Sequence, residues 1–263
     1  MDFKFKKSLG QNFLTDQNII HKIVDSANID DSTLLLEVGP GGGAITKYMV
    51  PLCGHALLYE ADSRLEKNLN ELLKNNHNYT IKIGDFLETN LEEDINNYSY
   101  SKLYLVANLP YYITTPIIMK FINEEVFPDK IVIMVQKEVA NRLAASVGTK
   151  NYGALTVFLD YFYEVKKLFD VSKNCFIPCP NVDSAVICMN LKGDRPYVKD
   201  MMLFKKIIRD AFRYKRKNLR NNFKGYNLEE IDKILKENNL TLNSRAEDLD
   251  LEIFILIANR LSK

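Results

Sequence analysis

The sequence predicts a parallel α/β sheet domain that is followed by a small all-helical domain. Short apolar runs of strand length recur through the first 192 residues, and segments of helical length and period separate most of them. This alternation is typical of a parallel sheet with helices on both faces. Beyond residue 192 the periodic segments are all helical, with no convincing strand among them.

Seven apolar runs are predicted to form the strands of the sheet. The first, TLLLEVG, ends in a glycine cluster and is typical of a buried strand that leads into a turn. Among the intervening helices, Thr115 before Pro116 is a start signal, because a hydroxyl caps the first turn and proline fits its first position. The predicted strands cover residues 33–39, 55–61, 79–85, 102–109, 130–136, 164–171 and 184–191.

The boundary between the domains is predicted at residues 193–198. The stretch LKGDRP contains a glycine and a proline and has no apolar periodicity, which is typical of a linker. Residues 1–192 are therefore predicted to form the sheet domain with an N-terminal segment, and residues 199–263 the helical domain. Helices are expected there over residues 200–213, 216–224, 228–238 and 247–261.

The composition excludes several classes of protein. The chain has 263 residues, 46% of them hydrophobic and 26% charged, and a formal net charge of +1, as in an ordinary globular protein. Its apolar runs are far shorter than the roughly 18 residues that span a membrane, and its N-terminus lacks the apolar core of a secretory signal. Four cysteines without CxxC spacing and three scattered histidines argue against a zinc site or a disulfide framework. We therefore expect a cytoplasmic protein that binds neither a membrane nor a metal.

The near-zero net charge conceals a strongly basic segment at residues 205–224. This segment contains nine lysines and arginines and one acidic residue, so it carries +8 while the other 243 residues carry −7. Apolar residues recur at helical spacing through it, which predicts a folded surface rather than a tail. Such a surface is typical of polyanion binding, although an ordinary solvated helix face has the same composition.

A glycine-rich turn follows the first predicted strand. Its pattern, E-x-G-x-G-x-G, runs from Glu37 to Gly43, and Glu60 stands at the end of the next strand. Glycines let the backbone turn tightly and approach a ligand, and an acid about 20 residues further on can accept hydrogen bonds from both ribose hydroxyls. Taken alone, such a turn is more often an ordinary loop. Between a strand and a helix it predicts a nucleoside cofactor, and the pattern favours S-adenosylmethionine over a dinucleotide, whose pyrophosphate must be cradled.

A second motif, Gly84-Asp85-Phe86, ends the third predicted strand. Asp85 is placed to accept a hydrogen bond from an adenine amino group, and Phe86 to pack on the ring. A turn-forming aspartate is an equal alternative for this motif by itself. Together with the glycine-rich turn, the motif favours adenine recognition.

A third motif, Asn108-Leu109-Pro110-Tyr111, follows the fourth strand, at the sheet edge where open α/β sheets bind ligands. An adenine N6 is a poor nucleophile because its lone pair is delocalised into the ring. If the Asn108 side-chain oxygen and the carbonyl of Leu109 or Pro110 accept its two N–H bonds, the nitrogen is drawn towards tetrahedral geometry and its lone pair turns towards a methyl donor. No general base is needed before the attack, and Tyr111 offers a flat face to the base.

Seven segments of the chain, in collinear order from about residue 4 to the C-terminus, carry a resemblance to a known family. They are SLGQNFLTD (8–16), EVGPGGGAIT (37–46), NLPYYITTPI (108–117), MVQKEVANRL (134–143), GTKNYGALTV (148–157), FIPCPNVDSAV (176–186) and FRYKRKNLRNNF (212–223). Together they resemble the small-subunit ribosomal RNA adenine dimethyltransferases, the KsgA or RsmA family. The combination of NLPYYITTP with FxPxPxVDSAV is specific to it.

The resemblance implies a Rossmann-like methyltransferase that uses S-adenosylmethionine. It implies two methyl transfers to N6 of each of two adjacent adenines near the 3′ end of small-subunit (16S) rRNA, in ribosome biogenesis. The substrate would be rRNA within a partly assembled 30S subunit, and the enzyme a monomer. The residues that would bind the cofactor are Asn12, Leu14, Gly39, Gly41, Glu60, Asp85, Phe86 and Asn108.

The same resemblance implies roles for the residues around the reacting atoms. Asn108 would bridge the cofactor and the target adenine, Tyr111 would stack on the flipped-out base, and Phe176 would pack on its other side. A plain core position is the alternative for Phe176. The predicted catalytic residues are Asn108, Leu109, Pro110, Tyr111 and Phe176, and the predicted RNA-binding residues are Arg213, Lys215, Arg216, Lys217 and Arg220.

The sequence departs from the family pattern at three positions, and three alternative functions remain open. Gly42 replaces a larger apolar residue, and Cys179 and Asn181 replace a common proline and lysine, which puts in doubt the rigidity of the glycine turn and one RNA contact. The nearest alternative is a large-subunit rRNA adenine N6-methyltransferase that confers macrolide resistance. The others are a ribosome-assembly factor with the same fold and a methyltransferase acting on small molecules or proteins.

Overall fold

The computed structural model describes residues 12–262, and residues 1–11 and Lys263 lie outside the described residues. Most of the predicted N-terminal cofactor- and RNA-contacting segment therefore lies outside them as well. The chain divides into two compact units, each of which is treated by itself. The sheet unit comprises residues 12–140 and 166–191, and the helical unit comprises residues 141–165 and 192–262.

The sheet unit contains the predicted Rossmann-like sheet. Seven strands pair in the order β4-β3-β2-β5-β6-β9-β7, and the five from β4 to β6 are parallel to one another. The last predicted strand, β9, differs from the expectation because it runs antiparallel to β6. The strands are β1 (Phe13–Leu14), β2 (Thr33–Val38), β3 (His55–Glu60), β4 (Tyr79–Ile83), β5 (Lys102–Asn108), β6 (Lys130–Gln136), β7 (Tyr163–Val171), β8 (Phe176–Ile177) and β9 (Ser184–Leu191).

Helices connect the parallel strands, and the central strands are buried on both faces. Strands β2, β3, β5 and β6 are buried almost throughout, which is why they are continuous apolar runs rather than alternating ones. Their register places Val38 beside Tyr59, so that neighbouring strands end at the same edge. The helices are α1 (Gln17–Ala27), α2 (Thr46–Met49), α3 (Glu66–Leu72), α4 (Leu91–Ile95), α5 (Thr114–Asn123) and α6 (Lys137–Leu143).

The start of α5 differs from the predicted one. The helix begins at Thr114, so the prediction that Thr115 caps it is wrong: Thr115 lies inside the first turn. No side chain caps this end through a backbone amide, and the Thr114 hydroxyl donates instead to the carbonyl of Pro110 at 3.4 Å. Pro116 is tolerated at the third position because amides of the first turn have no acceptor within the helix.

The helical unit is built around an aromatic core. The Tyr161 ring lies 5.2 Å from that of Phe204, and the Phe212 ring lies 5.9 Å from that of Phe254, measured between centroids. Among the described residues beyond 192 no strand occurs apart from one isolated bridge, as the sequence predicts. The helices are α7 (Ala154–Phe162), α8 (Met201–Ala211), α9 (Leu219–Asn222), α10 (Leu228–Glu237) and α11 (Leu251–Leu261).

Residues 141–165 lie in the helical unit, whereas the sequence places them in the sheet domain of residues 1–192. They join the helical unit because Tyr161 of α7 packs against Phe204 of α8 and donates a hydrogen bond to the carbonyl of Pro196 at 3.1 Å. The later change of unit falls between Leu191 and Lys192, next to the predicted linker.

Within residues 12–262, no helix is both long enough and apolar enough to cross a lipid bilayer. In the same part of the chain, no three histidine, cysteine, aspartate or glutamate side chains are grouped so as to hold a metal ion. The four cysteines are free thiols.

Candidate cofactor and catalytic site

A cavity of about 500 Å³ opens in the sheet unit at the carboxyl ends of β2, β3 and β5. All eight residues predicted to bind the cofactor line it, and so does the motif of residues 108–111. Of the predicted catalytic residues, only Phe176 is not among the lining residues. The structure therefore brings together motifs that are separated by about 70 residues in the chain, because parallel strands end at one edge of the sheet.

The glycine turn wraps the near side of this cavity. The Gly39 amide donates to the carbonyl of Tyr59 at 2.8 Å, which ties the turn to β3. Gly41 has a φ of +58°, and a Cβ at that position would lie 2.8 Å from Cε1 of Phe13. Any side chain there would strain the backbone and displace Phe13. At Gly42, by contrast, a Cβ would have no atom within 4 Å, so the turn keeps its shape with or without a side chain at this departure from the family pattern.

Glu60 is a buried carboxylate that fixes the glycine turn. Its Oε2 accepts a hydrogen bond from the Gly41 amide at 2.9 Å, and its Oε1 accepts one from the Asp62 amide at 2.8 Å. Burial raises the pKa of Glu60, and these two hydrogen bonds act in the opposite direction. A carboxylate has about four lone-pair sites, and the Gly41 and Asp62 amides do not occupy all of them, so capacity remains for ligand hydroxyls.

Glu37 is buried at the end of β2 without a hydrogen-bond partner for either carboxylate oxygen among the described residues. Loss of hydration raises its pKa to about 8, the charge of Glu60 adds to this effect, and the nearby Thr46 hydroxyl opposes it. An unpartnered buried acid on the wall of a cavity favours a ligand that brings a positive charge. The sequence includes Glu37 in the motif but assigns it no separate role.

Asp85 begins the loop that forms the far side of the cavity. It is exposed, and its Oδ1 accepts a hydrogen bond from the Leu87 amide at 2.9 Å. The aspartate therefore forms the turn that the alternative interpretation describes and also lines the cavity. Phe86 is buried, with its ring edge-on to that of Tyr59 at 4.9 Å.

Lys120 of α5 connects this loop to the helix that follows the 108–111 motif, and the sequence does not predict this role. The buried ammonium donates to the carbonyls of Thr89 at 2.5 Å and Leu87 at 3.3 Å, and it pairs with Glu124. It also lies 5.9 Å from the centre of the Phe86 ring. The only signal available in the sequence is a lysine among the apolar residues of a helix.

Asn108 stands at the carboxyl end of β5, half-buried. Its Nδ2 donates to the carbonyl of Asn12 at 3.3 Å, and its Oδ1 makes no hydrogen bond within the described residues. The Leu109 amide donates to the carbonyl of Met134 at 3.2 Å, which fixes the backbone. The Pro110 carbonyl accepts from the Ile113 amide at 3.2 Å, in addition to the Thr114 hydroxyl. Of the two predicted main-chain acceptors, the Leu109 carbonyl is therefore the less occupied.

Three aromatic residues differ in their access to the cavity. The hydroxyl of Tyr111, half-buried, lies 2.7 Å from the Ser184 hydroxyl, and burial raises its pKa. Phe176 is only 2% exposed and packs in the core. It lies in β8, where it pairs with Leu14 of β1. Tyr112 is 57% exposed and lines the cavity, although its position in the sequence does not predict this. The stacking role of Phe176 stays a prediction.

The predicted RNA-binding residues lie in the helical unit. All five are exposed, and none forms an ion pair with an acidic side chain among the described residues. Lysines of the same unit outside the basic segment behave differently, since Lys192, Lys233 and Lys236 pair with Asp160, Glu230 and Asp232. The unneutralised side chains are Arg213, Lys215, Arg216, Lys217 and Arg220.

Comparison with known proteins finds similarity over nearly the whole chain. The family model described as "Ribosomal RNA adenine dimethylase" matches residues 2–263. A protein of Streptococcus pneumoniae strain P1031, named "Ribosomal RNA small subunit methyltransferase A", is 41% identical, with 98% of this chain and 92% of the relative covered. A protein of the same name from Staphylococcus haemolyticus strain JCSC1435 is 40% identical, with 96% and 88% covered.

Two solved structures have the same fold. A dimethyladenosine transferase from Plasmodium falciparum gives a TM-score of 0.76 at 27% identity, with 93% of this chain and 95% of that chain covered. The 23S rRNA methyltransferase ErmE gives a TM-score of 0.73 at 22% identity, with 96% and 100% covered. The likeness to the second structure extends to the fold alone.

We expect Glu37→Gln to remove a pH dependence of stability from the ligand-free protein. With a folded-state pKa of about 8 against an ordinary value of 4.5, Glu37 keeps its proton in the folded chain while the unfolded chain loses it. Wild-type stability therefore falls as pH rises between these values, by up to about 1.4 kcal/mol per pH unit, and glutamine has no proton to lose. Urea unfolding of both proteins from about pH 5 to about pH 8 should show a difference that grows in favour of the variant. A constant difference would contradict the expectation.

We expect Lys120→Met to weaken binding of S-adenosylmethionine about tenfold and to destabilise the sheet unit by about 2 kcal/mol. The substitution leaves Glu124 and two loop carbonyls without their buried donor, so the loop that carries Asp85 is no longer held to α5. Titration calorimetry and urea unfolding measure the two effects. Lys74→Met is the matched control, because it removes an exposed pair with Glu71 away from the cavity. Equal affinity in the two variants would show that Lys120 does not position the loop.

Proposed function

Because the chain belongs to the ribosomal RNA adenine dimethylase family, we propose that it is an S-adenosylmethionine-dependent methyltransferase that dimethylates N6 of two adjacent adenines near the 3′ end of small-subunit (16S) rRNA. Relatives at 40–41% identity bear the name of a small-subunit rRNA methyltransferase and support this substrate. The observation that carries the proposal within the structure is the position of the Asn108 side-chain oxygen, without a hydrogen bond, on the same cavity as Glu37 and Glu60.

The residues of the cavity fit S-adenosylmethionine. This molecule carries positive charge at its amino group and sulfonium, and such a charge next to Glu37 favours the ionised form of that buried, unpartnered acid. The remaining hydrogen-bonding capacity of Glu60 suits the ribose hydroxyls, and the exposed carboxylate of Asp85 suits the adenine amino group. Gly39 and Gly41 offer backbone without side chains to the methionine portion. When bound, the cofactor supplies an electrophilic methyl group.

Asn108 and the Leu109 carbonyl prepare the target amine. Both oxygens accept N–H bonds from adenine N6, which draws the nitrogen out of conjugation with the ring and directs its lone pair away from the two acceptors. The same dipoles stabilise the positive charge that develops on the nitrogen. The backbone of this motif is fixed before the substrate arrives, through the contact of Leu109 with Met134 and through the turn at Pro110. No side chain has to remove a proton before the attack, because the nitrogen becomes positively charged on accepting the methyl group and then releases one N–H proton to water.

Tyr111 supports the base from one side. Its contact with Ser184 fixes the ring plane, so that the aromatic face is presented without a loss of side-chain freedom on binding. Phe176 is the second aromatic in the proposed set, and its burial means that it contacts a base only if the RNA uncovers it. The substrate is rRNA in a partly assembled 30S subunit, bound through the unneutralised cations of the helical unit.

We expect Asn108→Ala to lower the rate of methyl transfer about 100-fold at saturating cofactor, because it removes an acceptor that acts on the reacting amine. The assay is transfer of labelled methyl groups to small subunits from a strain that lacks the modification. Asn123→Ala, an exposed asparagine at the end of α5, is the matched control and should retain the wild-type rate. A fully active Asn108→Ala protein would contradict the mechanism.

Parallel reactions on large subunits from the same strain, read together with the small-subunit reactions by primer extension across both rRNAs, test the choice of substrate. Paired stops near the 3′ end of the small-subunit rRNA are expected. A stop in the large-subunit rRNA with no small-subunit pair would instead favour the macrolide-resistance activity.

We expect RNA binding to weaken steeply with salt, because each neutralised phosphate releases counterions. Replacing the five predicted RNA-binding residues by glutamine should reduce the slope of log K against log salt by about 4. Filter binding to a 3′ fragment of small-subunit rRNA measures this slope. Replacement of Lys233 and Lys236, which pair with acids of their own helix, should leave it unchanged. A flat salt response of the wild type would exclude the basic segment as the RNA-binding surface.

A further inference from the structure

In the helical unit, the loop of residues 146–152 packs against the basic loop of residues 212–217. The Lys215 ammonium donates a hydrogen bond to the main-chain carbonyl of Lys150 at 2.9 Å. Next to this contact, the buried ring of Tyr152 meets that of Phe212 edge-on, with 6.1 Å between centroids. Two segments about 65 residues apart in the chain therefore form one continuous surface, which we call the two-loop surface.

Hydrogen bonds to main-chain carbonyls fix the shape of the first loop. The Gly148 amide donates to the carbonyl of Glu247 at 2.7 Å, and glycine is required there because φ is +79°. The Thr149 hydroxyl donates to the carbonyl of Ser146 at 2.7 Å, and the Tyr152 amide donates to that of Thr149 at 3.0 Å. The exposed side chain of Lys150 therefore projects from a defined backbone, which lowers the entropy lost on binding a ligand.

A buried amide fixes the second loop. Nδ2 of Asn222 donates to the carbonyl of Ala211 at 2.6 Å and lies 3.4 Å from that of Tyr214. The Lys217 amide closes the turn by donating to the Tyr214 carbonyl at 2.8 Å. The basic side chains of this loop are thus presented by a preformed turn, as Lys150 is by the other.

The charges of the two-loop surface are not neutralised by the protein. Five of its exposed side chains are cationic, and none forms an ion pair with an acid among residues 12–262. The contact from the Lys215 ammonium to the Lys150 main chain brings the two loops together, so that the cationic residues of both belong to one surface. The five are Lys150, Arg213, Lys215, Arg216 and Lys217.

An aromatic ring within the same surface indicates which polyanion it fits. Tyr214 is 55% exposed, and the Arg213 guanidinium lies 5.5 Å from its ring centre. A flat exposed ring among cations is the arrangement that binds unpaired nucleic-acid bases by stacking while the cations bind the backbone. An acidic peptide or a phospholipid headgroup has no flat base to place on it.

We propose that the loop of residues 146–152 is the second half of the RNA-binding surface, in which Lys150 binds a backbone phosphate and Tyr214 stacks on an unpaired base. This inference rests on the proposed function, and it adds to the basic segment a loop that the sequence does not mark by charge. The surface would bind the phosphate backbone of the RNA and one accessible base. This mode of binding suits a folded rRNA with unpaired nucleotides.

The test measures binding of the full chain to a 3′ fragment of small-subunit rRNA over a range of salt concentrations. Lys150→Gln should raise Kd about fivefold near physiological salt and reduce the salt slope by about 1, and Lys150→Glu should raise Kd further. Tyr214→Ala should raise Kd about tenfold without changing the salt slope. Tyr214→Phe keeps the aromatic ring and should retain wild-type affinity. Lys236→Gln is the matched control, because its ammonium pairs with Asp232.

Binding of S-adenosylmethionine and thermal unfolding should be unchanged in all these variants. The inference is overturned if the Lys150 variants bind RNA as tightly as the wild type does. If the wild type still transfers methyl groups in that case, the proposed function stands. It is also overturned if Lys150→Glu loses only binding to vesicles of anionic phospholipid. A wild type that neither binds nor methylates the RNA overturns the proposed function as well.

Discussion

The carboxylate of Glu60 is the contact on which the geometry of the cavity depends. One oxygen holds the Gly41 amide, and with it the turn after β2, while the other holds the Asp62 amide and the chain after β3. A single buried side chain therefore joins two neighbouring strand ends. Because the carboxylate is buried, its loss would leave the two amides without their acceptor. The glycines permit the turn, but this contact selects its shape.

The two buried acids at this edge give the empty protein an electrostatic cost. Glu37 has no hydrogen-bond partner, and the nearby charge of Glu60 adds to the burial that raises its pKa. A cation brought into the cavity favours the charged form of both acids, so the free energy of binding is also a free energy of stabilisation. A site built for function is where an unpartnered buried group is expected, because a side chain selected for stability alone would be paired or apolar.

The sequence predicts the elements of the site whose signal is local, and misses those that depend on tertiary contacts. Strands buried on both faces are continuous apolar runs, so an acid such as Glu60 at the end of one is conspicuous. The role of Lys120 cannot be predicted from the sequence, because its acceptors are loop carbonyls about 30 residues away. No pattern of side chains encodes such a contact. The apolar periodicity around Tyr161 predicts a helix but not the element against which the helix packs. The unit to which the helix belongs therefore cannot be inferred from the sequence. For Phe176, the family resemblance predicts a position beside the base, whereas its burial follows from packing in the core, which no local pattern shows.

In each unit, some ionisable groups have no ion-pair partner among residues 12–262, and the two cases differ in scale. In the sheet unit, two buried acids suffice, because a ligand cation favours their ionised form and charges removed from water interact strongly with it. In the helical unit the cations are exposed, and each contributes little on its own because water and salt screen it. Such a surface gains affinity for a polyanion only by collecting many contacts. That requirement accounts for a second loop that adds Lys150 to a basic segment already rich in charge.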